Sequence, residues 1–419
     1  MTRLVVVGQG YVGLPLAMRA AETGFSVVGV DTDPRRIEQL RNGSSFVEDV
    51  AHDRLQRVLA TGAYRPTTAF EEAVEFDIAV ITVPTPLRES LPDLSMIESA
   101  STAIGAYVRR GATVILESTT YPGTTEELVA PLLEAASGLR RGVDFYLGYS
   151  PERIDPGNSV WTLINTPKVV SGIDELSTRE VRAFYDQLVD RTVVVSSCRV
   201  AELTKLLENT FRHVNVALVN ELAVFAHDLG INVWEAIDAA STKPFGYMRF
   251  TPGPGVGGHC LPVDPSYLSW QVRRTLGRSF RFIELANDVN DHMPDYVVGR
   301  ATALLNESRK SVSGSRVLLA GIAYKKNTGD ARQSPAVRVA ELLVQLGAKV
   351  VAADSHVDPR TVPRDVELVE LNSDELSLAD LVILLTDHDD VAVALASADG
   401  VCILDTRRAL PGARGVHYL

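Results

Sequence analysis

A single cysteine follows a run of glycines in the segment Gly253–Leu268, which reads GPGVGGHCLPVDPSYL. Glycines leave the backbone before Cys260 without side chains, so a bulky group can approach the thiol closely. Asp264 lies four residues further on, and a carboxylate near a thiol raises the pKa of that thiol unless a cation offsets it. The spacing alone leaves two interpretations open: a nucleophilic thiol, or a small apolar side chain buried in a tight turn.

A second group of polar residues lies in Val200–Leu229, a stretch with helical periodicity and neither proline nor glycine. Lys205, Asn209 and Arg212 are spaced i, i+4 and i+7 and therefore share one face of the predicted helix. A cation and an amide one turn apart can hold a negatively charged oxygen, although a solvated stripe has the same spacing. The length of the helix indicates a spine between two domains, with other faces available to a dimer partner.

The elements that position these residues begin with a βαβ pattern at the start of the chain. An apolar strand, Leu4–Gly8, leads into GQGYVG and a helix, and a second strand, Phe25–Val30, ends at Asp31. This arrangement predicts a dinucleotide site, because the glycines let a pyrophosphate approach the helix N-terminus and the acid binds the ribose hydroxyls. Asp31 would repel a 2′-phosphate, which favours NAD over NADP. The expected contacts in the turn are Gly8, Gly10, Tyr11, Val12 and Gly13.

Three further apolar runs predict strands that end in polar turns: Asp77–Val83, Ala112–Glu117 and Phe145–Tyr149. The carboxyl ends of parallel strands meet at one edge of an open sheet, where ligands bind. We therefore expect the turns that follow these strands to line one crevice.

A second strand-rich unit begins at Arg316–Gly321, after a helical stretch over Phe282–Asn306 that we expect to be interrupted near Pro294. This unit lacks GxGxxG, so we do not expect it to bind a dinucleotide. Its first turn, Ala323–Ser334, is rich in cations and hydrogen-bond donors, which suits a nucleotide diphosphate.

Composition excludes several classes of protein. The 419 residues indicate two or three domains, and the net charge of −12 argues against a nucleic-acid partner. Three cysteines and an N-terminus without a signal peptide or an 18-residue apolar run predict a cytoplasmic protein with no membrane partner. We expect no metal, since the histidines lack ligand spacing. Cys402 is predicted to lie mid-strand in the core, and Cys198 to be a spectator thiol before the long helix, whose N-terminus could lower the pKa of that thiol.

Several ordered motifs, spread over nearly the whole chain, resemble those of the UDP-glucose/GDP-mannose dehydrogenase family, the nucleotide-sugar 6-dehydrogenases. The motifs are GQGYVG, VPTP at Val83–Pro86, STTYPGTT at Ser118–Thr125, SPER at Ser150–Arg153, ELTKLLENTFR at Glu202–Arg212, the cysteine segment, and AYKKNTGDARQSPA at Ala323–Ala336. The segment STKPFGYMRFTPGPGVGGHCLPVDPSYL is most similar to the branch that acts on UDP-N-acetylhexosamines.

The resemblance implies oxidation of the C6 alcohol of the sugar to a carboxylate in two NAD-dependent steps. The thiolate of Cys260 would trap the aldehyde, and water would release the acid from a thioester. Lys205 and Asn209 would stabilise charge on the C6 oxygen, and Lys205 would also keep the thiol reactive beside Asp264. Asp264 and Thr119 would position a water, with Glu152 as a further acid–base candidate.

The resemblance also implies binding residues. Cofactor contacts would include Pro84, Thr85, Thr119 and Arg332. Substrate contacts would include Arg153, Lys205, Asn209, Arg212, Phe250, Gly253, Gly255, Gly257 and Lys325, with Lys243 or Arg249 reaching the substrate of a neighbouring subunit. Two departures from the UDP-glucose enzymes are Pro156, which replaces a second glutamate, and His259, which replaces a small residue.

We therefore expect an α/β protein with two Rossmann-like, doubly wound domains joined by a long central helix and a helical middle domain. The predicted domains are 1–197 (NAD binding), 198–308 (helical, with the cysteine, forming a homodimer) and 309–419 (UDP-sugar binding). Three alternatives stay open: a 6-dehydrogenase of UDP-glucose or another nucleotide sugar, a two-electron hydroxyacid-type dehydrogenase, and a non-catalytic NAD-binding regulator.

Overall fold

The structure, a computed structural model, describes residues 1–88, 91–155, 158, 160–258, 260–396, 398 and 400–419, with the backbone alone for Cys260. The chain divides into two compact units. The first contains Met1–Glu208 and Ser266–Leu276, and the second contains Asn209–Pro265 and Gly277–Leu419.

The first unit is built on a sheet of eight described strands. Its strands, with a separate two-stranded hairpin (β5 and β6), are β1 (Arg3–Val7), β2 (Ser26–Val30), β3 (Tyr64–Thr67), β4 (Ile78–Ile81), β5 (Leu87–Arg88), β6 (Leu91–Pro92), β7 (Thr113–Leu116), β8 (Tyr146–Tyr149), β9 (Lys168–Gly172) and β10 (Thr192–Val194). The order in the sheet is β10-β9-β8-β7-β4-β1-β2-β3, and every pairing is parallel except β8 with β9.

Helices cover this sheet and explain its uninterrupted apolar strands. They are α1 (Gly13–Glu22), α2 (Pro34–Arg41), α3 (His52–Ala60), α4 (Ser95–Gly105), α5 (Ala130–Ser137) and α6 (Glu175–Tyr185). In the central strand, Val5 pairs with Val28 on one side and with Ala79 on the other, and all three are buried. Burial on both faces selects continuous apolar runs, as the sequence predicts.

The second unit contains a six-stranded sheet in the order β13-β12-β11-β14-β15-β16, with every described pairing parallel. The strands are β11 (Arg316–Ala320), β12 (Lys349–Ala353), β13 (Glu367–Leu368), β14 (Leu381–Leu384), β15 (Ile403–Asp405) and β16 (Val416–Tyr418). Alternate residues of β11 point to opposite faces: Val317 and Leu319 join one core, and Leu318 and Ala320 join another. Both sheets confirm the predicted α/β class.

The remaining helices are α7 (Cys198–Asp228), α8 (Val233–Ser241), α9 (Cys260–Leu276), α10 (Arg281–Glu307), α11 (Pro335–Gln345), α12 (Ser373–Leu378) and α13 (Asp389–Ala396). Helix α7 confirms the predicted long helix. It belongs to the first unit up to Glu208 and to the second from Asn209 onward.

The structure differs from the prediction around two prolines. The predicted interruption near Pro294 is wrong, because α10 continues through this buried residue. Packing of the apolar face of a long helix outweighs the local proline penalty of about 3 kcal/mol. Helix α9, which the sequence analysis does not predict, begins at Cys260 and contains Pro262 within its first turn. There, backbone N–H groups have no acceptor within the helix, so the missing N–H of proline costs little.

Candidate active site

The glycine-rich turn of the first unit brings two backbone segments close together. Gly8 has φ +95°, and a Cβ placed there would lie 2.8 Å from the Thr82 carbonyl oxygen. Helix α1 begins just beyond, at Gly13, and no side chain caps its N-terminus. Within α1 the Leu14 N–H already donates to the Gly10 carbonyl oxygen at 3.1 Å, so the glycine turn before the helix is where a pyrophosphate would approach the backbone.

Asp31 follows β2 beside this turn and is nearly buried. Its carboxylate accepts the backbone N–H of Gln9 at 2.9 Å and that of Asp33 at 2.9 Å. The Arg36 guanidinium lies 3.6 Å away. These contacts fix the orientation of the carboxylate next to the glycine turn, where a ribose would bind.

The turns after neighbouring strands are linked at the same edge of the sheet. The Ser118 hydroxyl, after β7, donates to the Val83 carbonyl, after β4, at 2.8 Å. The Tyr267 hydroxyl of α9 donates to the Thr85 carbonyl at 2.9 Å. These contacts place Thr85 and the half-buried Thr119 on the rim that also carries the glycine turn.

Glu202 holds the segment that follows Thr119, a role that the sequence analysis did not assign. Its carboxyl accepts the backbone N–H groups of Gly123 at 2.5 Å and of Thr125 at 2.9 Å, and the Thr125 hydroxyl at 2.7 Å. Burial raises the pKa of Glu202 to about 7. The sequence does contain one signal for this role: Glu202 lies three residues before Lys205, so both residues lie on one helical face.

The predicted residues of α7 differ in exposure. Lys205 is nearly buried, Asn209 is half-buried and Arg212 is exposed. The ammonium group of Lys205 makes no hydrogen bond or ion pair with any residue that the structure describes. Its ammonium group is therefore not committed to an internal partner among them.

Two predicted catalytic residues meet in the second unit. The Asn209 amide donates to the Asp264 carboxylate at 2.5 Å, and Asp264 is buried in the first turns of α9. Cys260 begins that helix four residues earlier, so both residues lie on one helical face. The side chain of Cys260, together with Pro156 and His259, lies outside the described residues.

The glycine segment before Cys260 packs against the cation-rich turn of the second sheet. A Cβ at Gly257 would lie 2.8 Å from the Gln333 carbonyl oxygen and 2.8 Å from the Tyr324 side chain. The Gly253 N–H donates to the Asn220 side chain at 2.9 Å, and Phe250 packs on Phe211 with ring centroids 5.8 Å apart. This packing places Gly257 against Tyr324, the residue before the predicted substrate residue Lys325.

A buried Asp–His pair supports the same turn. Asp354, after β12, lies 3.1 Å from Nε2 of His388, whose Nδ1 accepts the Asn327 N–H at 2.9 Å. Burial favours protonation of Asp354, but hydrogen bonds from His388 and from backbone amides hold its pKa below the usual range. The predicted residue Lys325 lies half-buried in this turn, and Arg332 pairs with Asp330 at 2.5 Å. Neither His388 nor Asp354 is predicted from the sequence as a site residue.

Other predicted binding residues are engaged locally. Arg153 forms a forked pair with Glu208 at 2.6 and 3.3 Å, and Arg249 pairs with Asp238 at 2.9 Å. Lys243 is exposed, with its ammonium 5.0 Å from the centroid of the Phe245 ring. Their contacts with a ligand stay predictions.

Of the two cysteine predictions, one needs correction. Cys198 is fully buried, and burial raises the pKa of its thiol to about 12, which fits the predicted spectator thiol. Cys402 precedes β15 rather than lying mid-strand, and it is only partly buried against the core. Within the described residues, no cluster of His, Cys, Asp and Glu could hold a metal ion, and no helix is long and apolar enough to cross a membrane.

The glycine turn, the carboxylate of Asp31 and the polar rim define a dinucleotide-binding α/β protein. Family models confirm this class and refine it. Residues 2–189 match the NAD binding domain of the UDP-glucose/GDP-mannose dehydrogenase family, residues 199–292 its central domain and residues 318–411 its UDP binding domain. The chain belongs to this family, and it is an oxidoreductase with NAD as its cofactor.

Individual relatives are similar over nearly their whole length. A UDP-N-acetyl-D-mannosamine dehydrogenase of Pyrococcus horikoshii is 37% identical over 93% of this chain and 90% of the relative. A UDP-N-acetyl-D-glucosamine 6-dehydrogenase of Pseudomonas aeruginosa is 36% identical over 93% of this chain and 91% of the relative. The solved structure of the UDP-D-ManNAc dehydrogenase from Pyrococcus horikoshii superposes with a TM-score of 0.90 at 34% identity, covering 100% of this chain and 98% of that one.

Proposed function

We propose that this protein oxidises the C6 hydroxyl of a UDP-N-acetylhexosamine, either GlcNAc or ManNAc, to the uronic acid. The observation that carries the proposal is the partly buried Asn209–Asp264 hydrogen bond one helical turn from Cys260. The names of the similar enzymes support the substrate class.

The chemistry proceeds through a covalent intermediate on Cys260. Removal of a hydride from C6 and of a proton from the C6 hydroxyl gives an aldehyde, and the thiolate adds to it as a thiohemiacetal. Loss of a second hydride gives a thioester, and water attacks it to release the carboxylate and the thiol. One sugar therefore yields one acid, two hydrides and three protons, and consumes one water.

The residues of this chain handle oxygen charge and protons. Lys205 and Asn209 stabilise the negative oxygen on C6, because a cation and an amide donor suit an oxyanion. Asp264 and Thr119 orient the water, and Glu152 accepts a proton. The glycine turn around Gly8 and the oriented carboxylate of Asp31 would hold NAD, which would supply the hydride acceptor for both oxidations.

Substrate binding is assigned to the second unit. The diphosphate of the nucleotide sugar binds the backbone amides of the glycine segment near Gly257 and the cationic Lys325. The packing of Gly257 against Gln333 and Tyr324 supports this assignment, since it joins the two segments into one surface.

The protein is proposed to act as a homodimer in the cytoplasm. An apolar stripe on α7 is exposed in the single chain and contains Leu218, Leu222 and Phe225. These residues are spaced i, i+4 and i+7 and lie on one face, which suits a second copy of the helix. Free thiols at Cys198 and Cys402 are compatible with a reducing compartment.

The domain division 1–197, 198–308 and 309–419 is also proposed. The three segments matched by the family models lie inside these bounds. Limited proteolysis should cut first near residues 197 and 308, and cleavage inside one of the three segments would contradict the division.

The decisive experiment measures NADH formed per sugar over a panel of UDP-GlcNAc, UDP-ManNAc, UDP-glucose and GDP-mannose. We expect two NADH per UDP-N-acetylhexosamine, and loss of the acid product in Cys260→Ser. Cys402→Ser is the matched control and should keep both the yield of two NADH per sugar and the acid product. One NADH per sugar, with full activity in Cys260→Ser, would contradict the proposal and favour a two-electron dehydrogenase.

A further inference from the structure

Three neighbouring strands of the first sheet bring an ammonium group and two carboxyl groups together behind the rim. Glu117 follows β7, Glu152 follows β8, and Lys168 begins β9. Because β9 runs antiparallel to β8, its first residue lies at the edge where β7 and β8 end. The reversed strand therefore delivers Lys168 to the carboxyl edge of the sheet.

The contacts in this cluster are close and buried. Lys168 forms an ion pair with Glu117, and its Nζ lies 4.0 Å from Oε2 of Glu152. The exposed fractions of the three side chains are 4% for Lys168, 0% for Glu117 and 11% for Glu152. The Tyr185 hydroxyl donates to the other oxygen of Glu117 at 2.6 Å, and the Tyr185 ring lies 5.0 Å from Nζ.

Glu152 is held asymmetrically. Its Oε1 accepts the backbone N–H of Ile154, whereas its buried Oε2 has no hydrogen-bond partner among the described residues. This oxygen faces the Lys168 ammonium at a distance where charge acts without a hydrogen bond. The next cation along the chain, Arg153, is paired with Glu208.

The charges do not balance when every group is ionised. Glu117 and Glu152 then carry two negative charges against the single positive charge of Lys168, and a buried net charge is costly. One proton shared between the two carboxyls removes this imbalance. Burial raises the pKa of Glu117, and Lys168 acts in the opposite direction.

We propose that Glu117 and Lys168 are positioning residues that set the protonation of Glu152. Lys168 favours the ionised, proton-accepting form of Glu152. Glu117 opposes this effect, because it attracts the Lys168 ammonium group to itself and adds a second negative charge near Glu152. This inference deepens the proposed function and rests on the acid–base role given there to Glu152.

The test is the pH profile of kcat/KM, whose acidic limb reports the ionisation of the base in the unliganded protein. In Glu117→Gln the acidic limb should move down by about one pH unit, because Lys168 then acts on Glu152 alone. In Lys168→Met it should move up by about one pH unit. The double variant Glu117→Gln/Lys168→Met loses both charges, and its limb should lie between those of the single variants.

Controls separate this role from a structural one. Lys310→Met removes an exposed lysine that pairs with Asp380 and should leave the limb in place. If Lys168→Met does not fold, Glu117→Gln and the double variant still test the inference. If the acidic limbs of the pH profiles coincide in wild type, Glu117→Gln and the double variant, the inference is overturned. NADH stoichiometry on the same samples tests the proposed function: fewer than two NADH in wild type contradicts that function, whereas two NADH with unmoved limbs contradicts only this inference.

Discussion

At the scale of single residues, Asp31 combines two roles that its contacts make visible. Its carboxylate orients the glycine turn through Gln9 and stands beside the Arg36 guanidinium. We expect the negative charge to repel a 2′-phosphate, while the same charge holds the Arg36 guanidinium. Electrostatics at this position would then set the choice between NAD and NADP.

Removing this charge should relax cofactor choice. In Asp31→Asn, the 2′-phosphate is no longer repelled and Arg36 becomes available to it. The ratio of kcat/KM for NADP to that for NAD should rise at least about tenfold, equivalent to about 1.4 kcal/mol. Steady-state kinetics with both cofactors provide the measurement.

Asp33→Asn is the matched control, because Asp33 caps α2 and asparagine caps helices equally well. Its cofactor ratio should stay at the wild-type value. Comparable efficiencies of wild type with NAD and NADP would refute the role of Asp31.

At the scale of elements, a buried chain of polar side chains connects α7, α10 and the glycine segment. Asn220 accepts from Gly253 N–H and donates to Asn290 at 2.9 Å, and the Asn290 amide lies 3.4 Å from Nδ1 of His213. Nε2 of His213 lies 2.8 Å from the Asn287 side-chain oxygen. In this arrangement His213 is neutral, with its proton on Nε2.

His213 makes this connection sensitive to acid. Burial lowers its pKa below that of the unfolded chain, although the bond to Asn287 works against the shift. The unfolded state therefore binds more protons below about pH 6.5, and the free energy of unfolding should fall as the pH decreases, by at most about 1.4 kcal/mol per pH unit.

His213→Gln should flatten this dependence in urea unfolding between about pH 5 and about pH 7.5. His292→Gln is the control on α10, because His292 is exposed and its pKa is raised by the Asp288 carbonyl. The control should keep the acid-induced loss of stability. An equal slope in wild type and His213→Gln would show that another group is responsible.

At the scale of the whole molecule, the apolar stripe on α7 is the feature that a single chain does not explain. Leu222 and Phe225 are 48% and 56% exposed, on a helix that also carries the buried Lys205 and Asn220. One helix thus serves the candidate site on one face and leaves an apolar face uncovered. A second copy of the chain would bury that face.

Leu222→Glu should weaken self-association, because it places a charge in the stripe. We expect the dissociation constant of the dimer to rise at least about tenfold in sedimentation experiments. Leu176→Glu, at a similarly exposed position on α6, should sediment as wild type does. A wild-type monomer at micromolar concentration, or identical behaviour of both variants, would contradict the dimer.

Local patterns in the sequence determined the elements of this protein and indicated several candidate site residues. The strand–glycine–helix order around Gly8 and the long helix α7 are both present as predicted. These features follow from interactions between residues a few positions apart, which a sequence displays directly.

Only the tertiary structure decided which distant residues meet. Lys168 lies 51 positions from Glu117, and strand order and the reversed direction of β9 bring them together. His388 reaches Asn327 and Asp354 in the same way across the second sheet. Such contacts depend on register and strand direction, which are set by the packing of whole layers and leave no periodic signal around any one of the residues.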